Sequence, residues 1–397
     1  VKFTSSNLLI INVGSSSIRF SVYDEISMAR QLSGKIDRGG LQGMEMLVSD
    51  TSSESPVDNP IPIPSCDFEK AAEFLLKWLS EHPCFPSIRA VGHRVVHGMK
   101  HTAPTPITTN LLAELRSLIP YAPEHLPQEI MLIEAFQNRH ADLSQFACFD
   151  TSFHQNMPRV AKSLPIPRRY SQQGVERYGF HGLSYSYLME ELARLGDPAA
   201  TKGRVILAHL GNGASLAAVA KGESIDTSMG FTPASGLMMS TRSGDLDPGL
   251  FSCLASEEKM TADGFQTMVN KESGLIGISE TSSDLRDLLA IEATDVRAAE
   301  AVAMFCYQAK KWIGSFAAAL GGLDTLVFSG GIGENSSVVR ERICDGLGFL
   351  GIELDVQRNA ESAQVISSDA GRTAVRVIPT DEELMIARSA CRVLPHR

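Results

Sequence analysis

The residues of this chain best suited to chemistry sit in glycine turns that end apolar, strand-like runs. Leu8–Ile11 lead into Asn12, then Gly14-Ser15-Ser16-Ser17, and an alternating run resumes at Ile18 and passes Arg19. This reads as a β-hairpin whose turn offers backbone N–H groups and three hydroxyls, the donors a phosphate oxygen needs. It is neither a GxxxxGK[ST] loop nor a GxGxxG fingerprint, and most Gly/Ser turns are simply tight hairpins. Two further segments repeat the theme. RVILAHLGNGASLAAVAKG, 204–222, carries His209, Gly211, Asn212 and Gly213, and TLVFSGGIGEN, 325–335, carries Gly330, Gly331, Gly333 and Asn335. Glycines there admit close approach of a nucleotide to the backbone.

Other candidates lie between these turns. In the strand-like AVGHRVVHG, Arg94 and Val96 share one face and His93, Val95 and His97 the other. Arg94 reads either as an anion clamp beside an apolar Val96 wall or as half of a surface ion pair. The two histidines lack the carboxylate of an HExxH zinc site. Asp150 ends the apolar run 146–149, where α/β folds place ligands, although aspartates also make turns and caps there. His181 stands between glycines in YGFHG, a setting for a close ligand or for an ordinary structural histidine. Arg242 lies in the Gly-, Pro- and Met-rich run 229–249, expected to be a long ordered loop. Asp245 and Asp247 lack EF-hand spacing and read as Asx turns. Near the C-terminus, Thr380 and Glu383 have capping-box spacing, and Glu382 or Glu383 can hold Mg2+ if that helix end faces a phosphate site.

The elements that must position these groups alternate strand and helix, which indicates an α/β protein. With 397 residues, two domains are the default. Asp67 is placed to cap a helix with Phe68, Ala71, Ala72, Leu75, Trp78 and Leu79 on one face. Residues 296–320 form a long helix, apolar around most of its surface and therefore expected to be central and buried, ended by Gly321-Gly322. The strand–turn–strand echo between 8–24 and 204–222 fits a duplicated α/β unit, and it also fits chance.

Composition narrows the classes. The chain is 43% hydrophobic and 21% charged, as in ordinary globular enzymes. A net charge of −10 without a Lys/Arg run speaks against nucleic acid. No apolar run is long enough for a membrane span, and no signal-peptide h-region is separate from the first strand. Seven cysteines, at 66, 84, 148, 253, 306, 344 and 391, without a CxxC pair, point to reduced thiols and a cytoplasmic location.

Taken together, NVGSSSIRF, GHRVVHG, FDTSFH, RYGFHG, HLGNGAS, MGFTP with LMMSTRSGDLDPG, SSDLRD, FSGGIGENS and PTDEEL resemble the acetate kinase family. The resemblance implies an α/β fold of duplicated ribonuclease H-like domains, as in actin and sugar kinases, around a central cleft. It implies an acceptor-side domain of 1–150 plus 381–397 and an ATP-binding domain of 151–380. It implies reversible phosphoryl transfer from ATP to a short-chain carboxylate, with Mg2+ (or Mn2+ in its place), in a cytoplasmic homodimer. Arg94, Asp150, His181 and Arg242 then match catalytic positions, and Arg94, Val96, Phe180 and Pro233 the substrate site. Ser15, Ser17, Arg19, His209, Gly211, Asn212, Gly213, Asp284, Leu285, Arg286, Gly330, Gly331, Gly333 and Asn335 match phosphate and nucleotide positions. Asn12 and Glu382 match the metal-linked pair.

Four positions depart from the family pattern. Arg19 stands where lysine is usual, Ser240 where glycine is usual, and Met99 where a second glycine is usual. Pro123-Glu124-His125-Leu126-Pro127 replaces PLHNP, which puts Glu124 where a leucine lines the small acyl pocket. A carboxylate there would repel the acid substrate unless it were paired or turned outward, so acetate, propionate and other short acids all stay open. A different class, a nucleotide-switched actin-like binding protein, would need the ATP cradle but not the two arginines. A pyrophosphate-using kinase is disfavoured by the intact SSDLRD and GGIGEN.

Overall fold

A computed structural model of the chain describes residues 6–14, 17–37, 44–51, 60–63 and 67–394. The chain forms two compact units, Val1–Ser152 with Asp381–Arg397, and Phe153–Thr380. Among the described residues each unit is built on one sheet.

The sheet of the first unit comprises β1 (Asn7–Val13), β2 (Ser17–Asp24), β3 (Arg30–Asp37), β4 (Met44–Asp50), β5 (Ile61–Ile63), β6 (Ile88–Val95), β7 (Thr105–Pro106) and β8 (Ser144–Phe149). Their spatial order is β5-β4-β3-β2-β1-β6-β8-β7. Strands β1, β2 and β3 are antiparallel, whereas β6 and β8 run parallel to β1. β1 has seven consecutive buried residues because it is central and covered on both faces. On one face, the helix Phe68–Glu81 packs Leu75, Leu76 and Leu79 against Leu9, Ile11 and Phe20. Asp67 caps it as expected, accepting from the Glu69 N–H at 3.0 Å.

The helix Glu382–Val393 belongs to the same unit, and it packs so closely that a Cβ built on Gly92 of β6 would lie 2.9 Å from Ile386. The expected Thr380–Glu383 box is not its cap. Asp381 is the N-cap, accepting from the Leu384 N–H at 2.9 Å, while the Thr380 hydroxyl is engaged by Ser184. A carboxylate is the stronger acceptor at a helix N-terminus. Arg30, at 2.6 Å, and the Tyr23 hydroxyl, at 3.2 Å, fix Asp381 in turn.

The second unit carries β9 (Arg204–Leu210), β10 (Ala214–Ala220), β11 (Glu223–Thr227), β12 (Thr325–Ser329) and β13 (Ala374–Val377), ordered β11-β10-β9-β12-β13. Again three antiparallel strands are followed by two parallel ones. β3-β2-β1-β6-β8 and β11-β10-β9-β12-β13 are therefore the same topology used twice, so the sequence echo reflects duplication rather than chance. The long helix is Val296–Leu320, capped by Asp295 and ended by Gly321 at φ 70°. Its apolar surface is narrower than expected. Ala298, Ala301, Val302, Phe305, Ala309 and Ile313 are buried, while Val296 and Tyr307 are 80% and 62% exposed. Alanines gave the sequence its all-round apolar look, and alanine is an excellent helix former whether buried or exposed.

Candidate active site

In the first unit the hairpin register sets Asn12 of β1 opposite Arg19 of β2. The turn closes with Gly14 N–H donating to the Ser17 carbonyl at 2.8 Å, while Ser15 lies outside the described residues. The Asn12 amide nitrogen donates to both Glu382 and Glu383 at 3.0 Å. Burial pushes the Glu383 carboxyl up, and the neighbouring Glu382 charge adds to this, against Arg19 and the Asn12 bond. The amide nitrogen thus ties two adjoining carboxyl groups together at the start of the helix Glu382–Val393, a set of hard oxygen donors.

Arg94 is buried near the end of β6, with Asp150 directly after β8. Its Nε and Nη2 both donate to one Asp150 oxygen, at 3.1 and 2.5 Å, and its Nη1 donates to the Val13 carbonyl at 2.8 Å. Burial opposes the guanidinium charge, but Asp150, with Glu382 behind it, outweighs burial and holds it firmly protonated. The pair is thus internal, unlike the surface ion pair that the sequence left open. One N–H remains on each terminal nitrogen, the fork that grips a carboxylate or phosphoryl group.

Two buried groups of this unit complete its electrostatics. His93 is a neutral core histidine, bonded to Gln145 at 2.7 Å and lowered by burial to about 4. Among the described residues no cluster of three or more His, Cys, Asp or Glu is placed to hold a metal. The second is a buried carboxyl group against the Arg94 strand, that of Glu129, which the sequence did not point to. Glu129 is buried and accepts from the Val96 N–H at 3.0 and 3.3 Å, whereas Glu124 is half-buried in the turn before the helix Leu126–Arg139. The signal was available: Glu129 falls on the stripe of Leu126, Ile130 and Ile133, where a solvated residue does not belong.

In the second unit the remaining candidates converge. His181 caps the helix Gly182–Arg194 in a left-handed conformation, φ 58°, rare outside glycine. Its ring stacks on His209 of β9, with centroids 4.3 Å apart. A Cβ built on Gly213 would lie 3.2 Å from His181 Nε2 and 3.7 Å from Arg242 Nη1, so both side chains close on the Gly211-Asn212-Gly213 turn. Arg242 is braced by donating to the Pro233 carbonyl at 3.3 Å. Its loop carries no helix or strand and is tied by backbone hydrogen bonds, among them the one from the Ser240 N–H to the Asn212 carbonyl at 3.2 Å. Phe180 is buried, and its carbonyl accepts from His154 Nε2 at 3.2 Å.

FSGGIGEN is not a loop before a helix: Gly330–Asn335 is itself a short helix, entered through Gly330 at φ 76°. Two side chains that the sequence did not single out hold it. The Glu334 carboxylate accepts from Gly330 N–H at 2.8 Å and Thr380 N–H at 3.1 Å. Arg340, fully buried, donates to the Gly333 and Glu334 carbonyls at 2.9 and 3.0 Å. Asp284 caps the helix Leu285–Ile291 and pairs with the exposed Arg286 at 2.6 Å.

A twice-used α/β topology, with arginines and histidines gathered at the glycine turns, defines a phosphoryl-transfer enzyme of the kinase class. The model of the acetokinase family matches residues 7–388, and the chain belongs to that family. An acetate kinase of Rhodopseudomonas palustris (strain TIE-1) is 42% identical over 98% of each chain. Among solved structures, a propionate kinase from Francisella tularensis superposes with a TM-score of 0.88 at 35% identity, covering 97% of this chain and 98% of that one. The acetate kinase of Porphyromonas gingivalis gives 0.85 at 36%, covering 98% and 100%.

Proposed function

We propose that this protein transfers the terminal phosphoryl group of ATP reversibly to acetate, giving acetyl phosphate and ADP, with propionate as the closest alternative acid. The observation that carries this reading is the dry, doubly bonded Arg94–Asp150 pair. It preorganises a guanidinium fork for an anion, and it leaves Asp150 bound to a cation instead of placed to remove a proton. A carboxylate acceptor is already ionised at neutral pH, so no general base is required. The obstacle is bringing one anion onto another, and fixed donors and cations overcome it.

On this reading the first unit supplies the acceptor-side groups and the second the nucleotide-side groups. Val96 in the first unit, and Phe180 and Pro233 in the second, are the apolar residues this reading assigns to the acid. His181, His209 and Arg242 donate to phosphoryl oxygens near Gly213. The segments at Asp284–Arg286 and Gly330–Asn335 receive the nucleotide, and Ser17 and Arg19 flank the hairpin turn. Asn12 and Glu382 suit Mg2+, which takes one or two protein oxygens together with phosphates and water. When bound, the ion would neutralise phosphate charge. A cytoplasmic homodimer belongs to the same reading. In its support, the helix Gly249–Glu257 buries none of its residues and leaves Phe251 exposed.

The test is a hydroxamate assay of acyl phosphate formation with acetate, propionate and butyrate, run with ATP and with pyrophosphate. Acyl phosphate from ATP and acetate is the expected result. One methylene shifts kcat/KM by roughly 10–200-fold, which ranks the acids. ATP binding without acid-dependent transfer would overturn the proposal in favour of an actin-like switch.

A further inference from the structure

The two stacked histidines of the second unit are each held at Nδ1 by a buried serine, and the arrangement is crossed. Ser215 lies opposite His209 in the β9–β10 register, yet its hydroxyl sits 2.8 Å from Nδ1 of His181. Ser184 lies on the helix that His181 caps, yet its hydroxyl sits 2.8 Å from Nδ1 of His209. Each serine has a further hydroxyl behind it: Tyr185 at 2.5 Å from Ser215, and Thr380 at 2.8 Å from Ser184. Ser184, Tyr185 and Ser215 are fully buried.

The partner of one ring nitrogen decides what the other can do. His154 shows the contrast: its Nε2 faces the Phe180 carbonyl, which can only accept, so Nε2 carries its hydrogen and Nδ1 accepts from Ser224 at 2.8 Å. A hydroxyl chain can supply the same hydrogen to Nδ1 of His181 and of His209. Two imidazolium rings at this stacking distance would repel one another, so a pair of neutral donors is the arrangement that offers two N–H groups to one anion.

We propose that Ser215 and Ser184 are positioning residues that fix His181 and His209 as neutral Nε2–H tautomers, so that both rings donate to the phosphoryl oxygens and neither serves as base or nucleophile. This rests on the phosphoryl-transfer reading above. Tyr185 donates to Ser215 and Ser215 to His181; Thr380 donates to Ser184 and Ser184 to His209.

Nitrogen-15 spectra of histidine-labelled protein, taken without substrates, read the tautomers directly. Both rings are expected as Nε2–H. Ser215→Ala is expected to release His181 into a tautomer mixture and lower kcat about 10–100-fold, with KM for the acid little changed. Ser184→Ala is expected to do the same through His209, and it serves as the independent variant should one substitution disturb folding. Tyr185→Phe, which keeps the serine, is expected to have a smaller effect. Nδ1–H tautomers in the wild type would overturn the proposal. So would alanine variants whose tautomers or kcat do not change. Failure of the kinase reading would show separately, as a wild type that forms no acyl phosphate while its tautomers remain as stated.

Discussion

Glu129 offers the sharpest test of the electrostatics behind Arg94. Burial pushes its carboxyl from 4.5 to about 8, and Asp150 adds to this, while Arg94 and the Val96 N–H pull it down without prevailing. Arg94 prevails so little because Asp150 already compensates its charge. Between these two values the folded chain holds a proton that the unfolded chain releases, so stability falls as pH rises through the window. One proton corresponds to a slope of about 1.4 kcal/mol per pH unit, and the whole interval to something on the order of 4–5 kcal/mol. Glu129→Gln keeps an acceptor for Val96 but cannot ionise, so it removes that slope. Urea unfolding of both proteins from about pH 5 to about pH 8.5 should show the variant gaining on wild type in steps of about 1.4 kcal/mol per unit. Trp78 in the helix Phe68–Glu81 reports on the first unit once Trp312 is replaced by phenylalanine in both backgrounds. A wild-type-minus-variant difference that is flat in pH would refute the reasoning.

Arg94→Ala and Arg242→Ala should each lower acid-dependent turnover by roughly 10²–10⁴. Arg94→Ala should also lower the unfolding free energy by about 3–5 kcal/mol because it strands the buried Asp150, whereas Arg242→Ala should leave stability nearly unchanged; paired kinetics and denaturation check both. Met99 occupies the left-handed region at φ 44°. Met99→Gly should therefore raise stability by up to about 1 kcal/mol, the relieved strain less the entropy of a new glycine, read as a shift in urea midpoint.

Local signals were the legible part of this fold. Asp67 and Gly321 mark helix ends by their own chemistry, and the hairpin at Gly14 and the strand run into Asp150 follow from apolar runs stopped by turn residues. The cap at Asp381 was missed because Thr380 and Asp381 are both good acceptors, and tertiary bonds from Arg30, Tyr23 and Ser184 decide between them. The candidate site divides the same way. Arg94, Asp150, His181 and Arg242 stand in conspicuous turns and strand ends. Ser184, Ser215, Glu334 and Arg340 look like ordinary helix and strand residues until the fold brings them against the histidines and the helix Gly330–Asn335. Met99 explains a departure in retrospect: where the family has glycine, the backbone turns left-handed.

The helix Glu382–Val393 packs on a sheet whose first strand begins at Asn7, and the whole of the second unit intervenes in the chain. During synthesis the first unit must therefore wait. Its β6 leaves the ribosome with the groove over Gly92 open, and Ile386 and Ala390, which fill it, come only after the second unit has been translated. At 5–20 residues per second that delay is roughly ten to fifty seconds, in which the second unit can fold and the first cannot finish. Nascent chains of this protein would expose an apolar sheet face for that interval and so present a chaperone-binding surface that the released protein lacks.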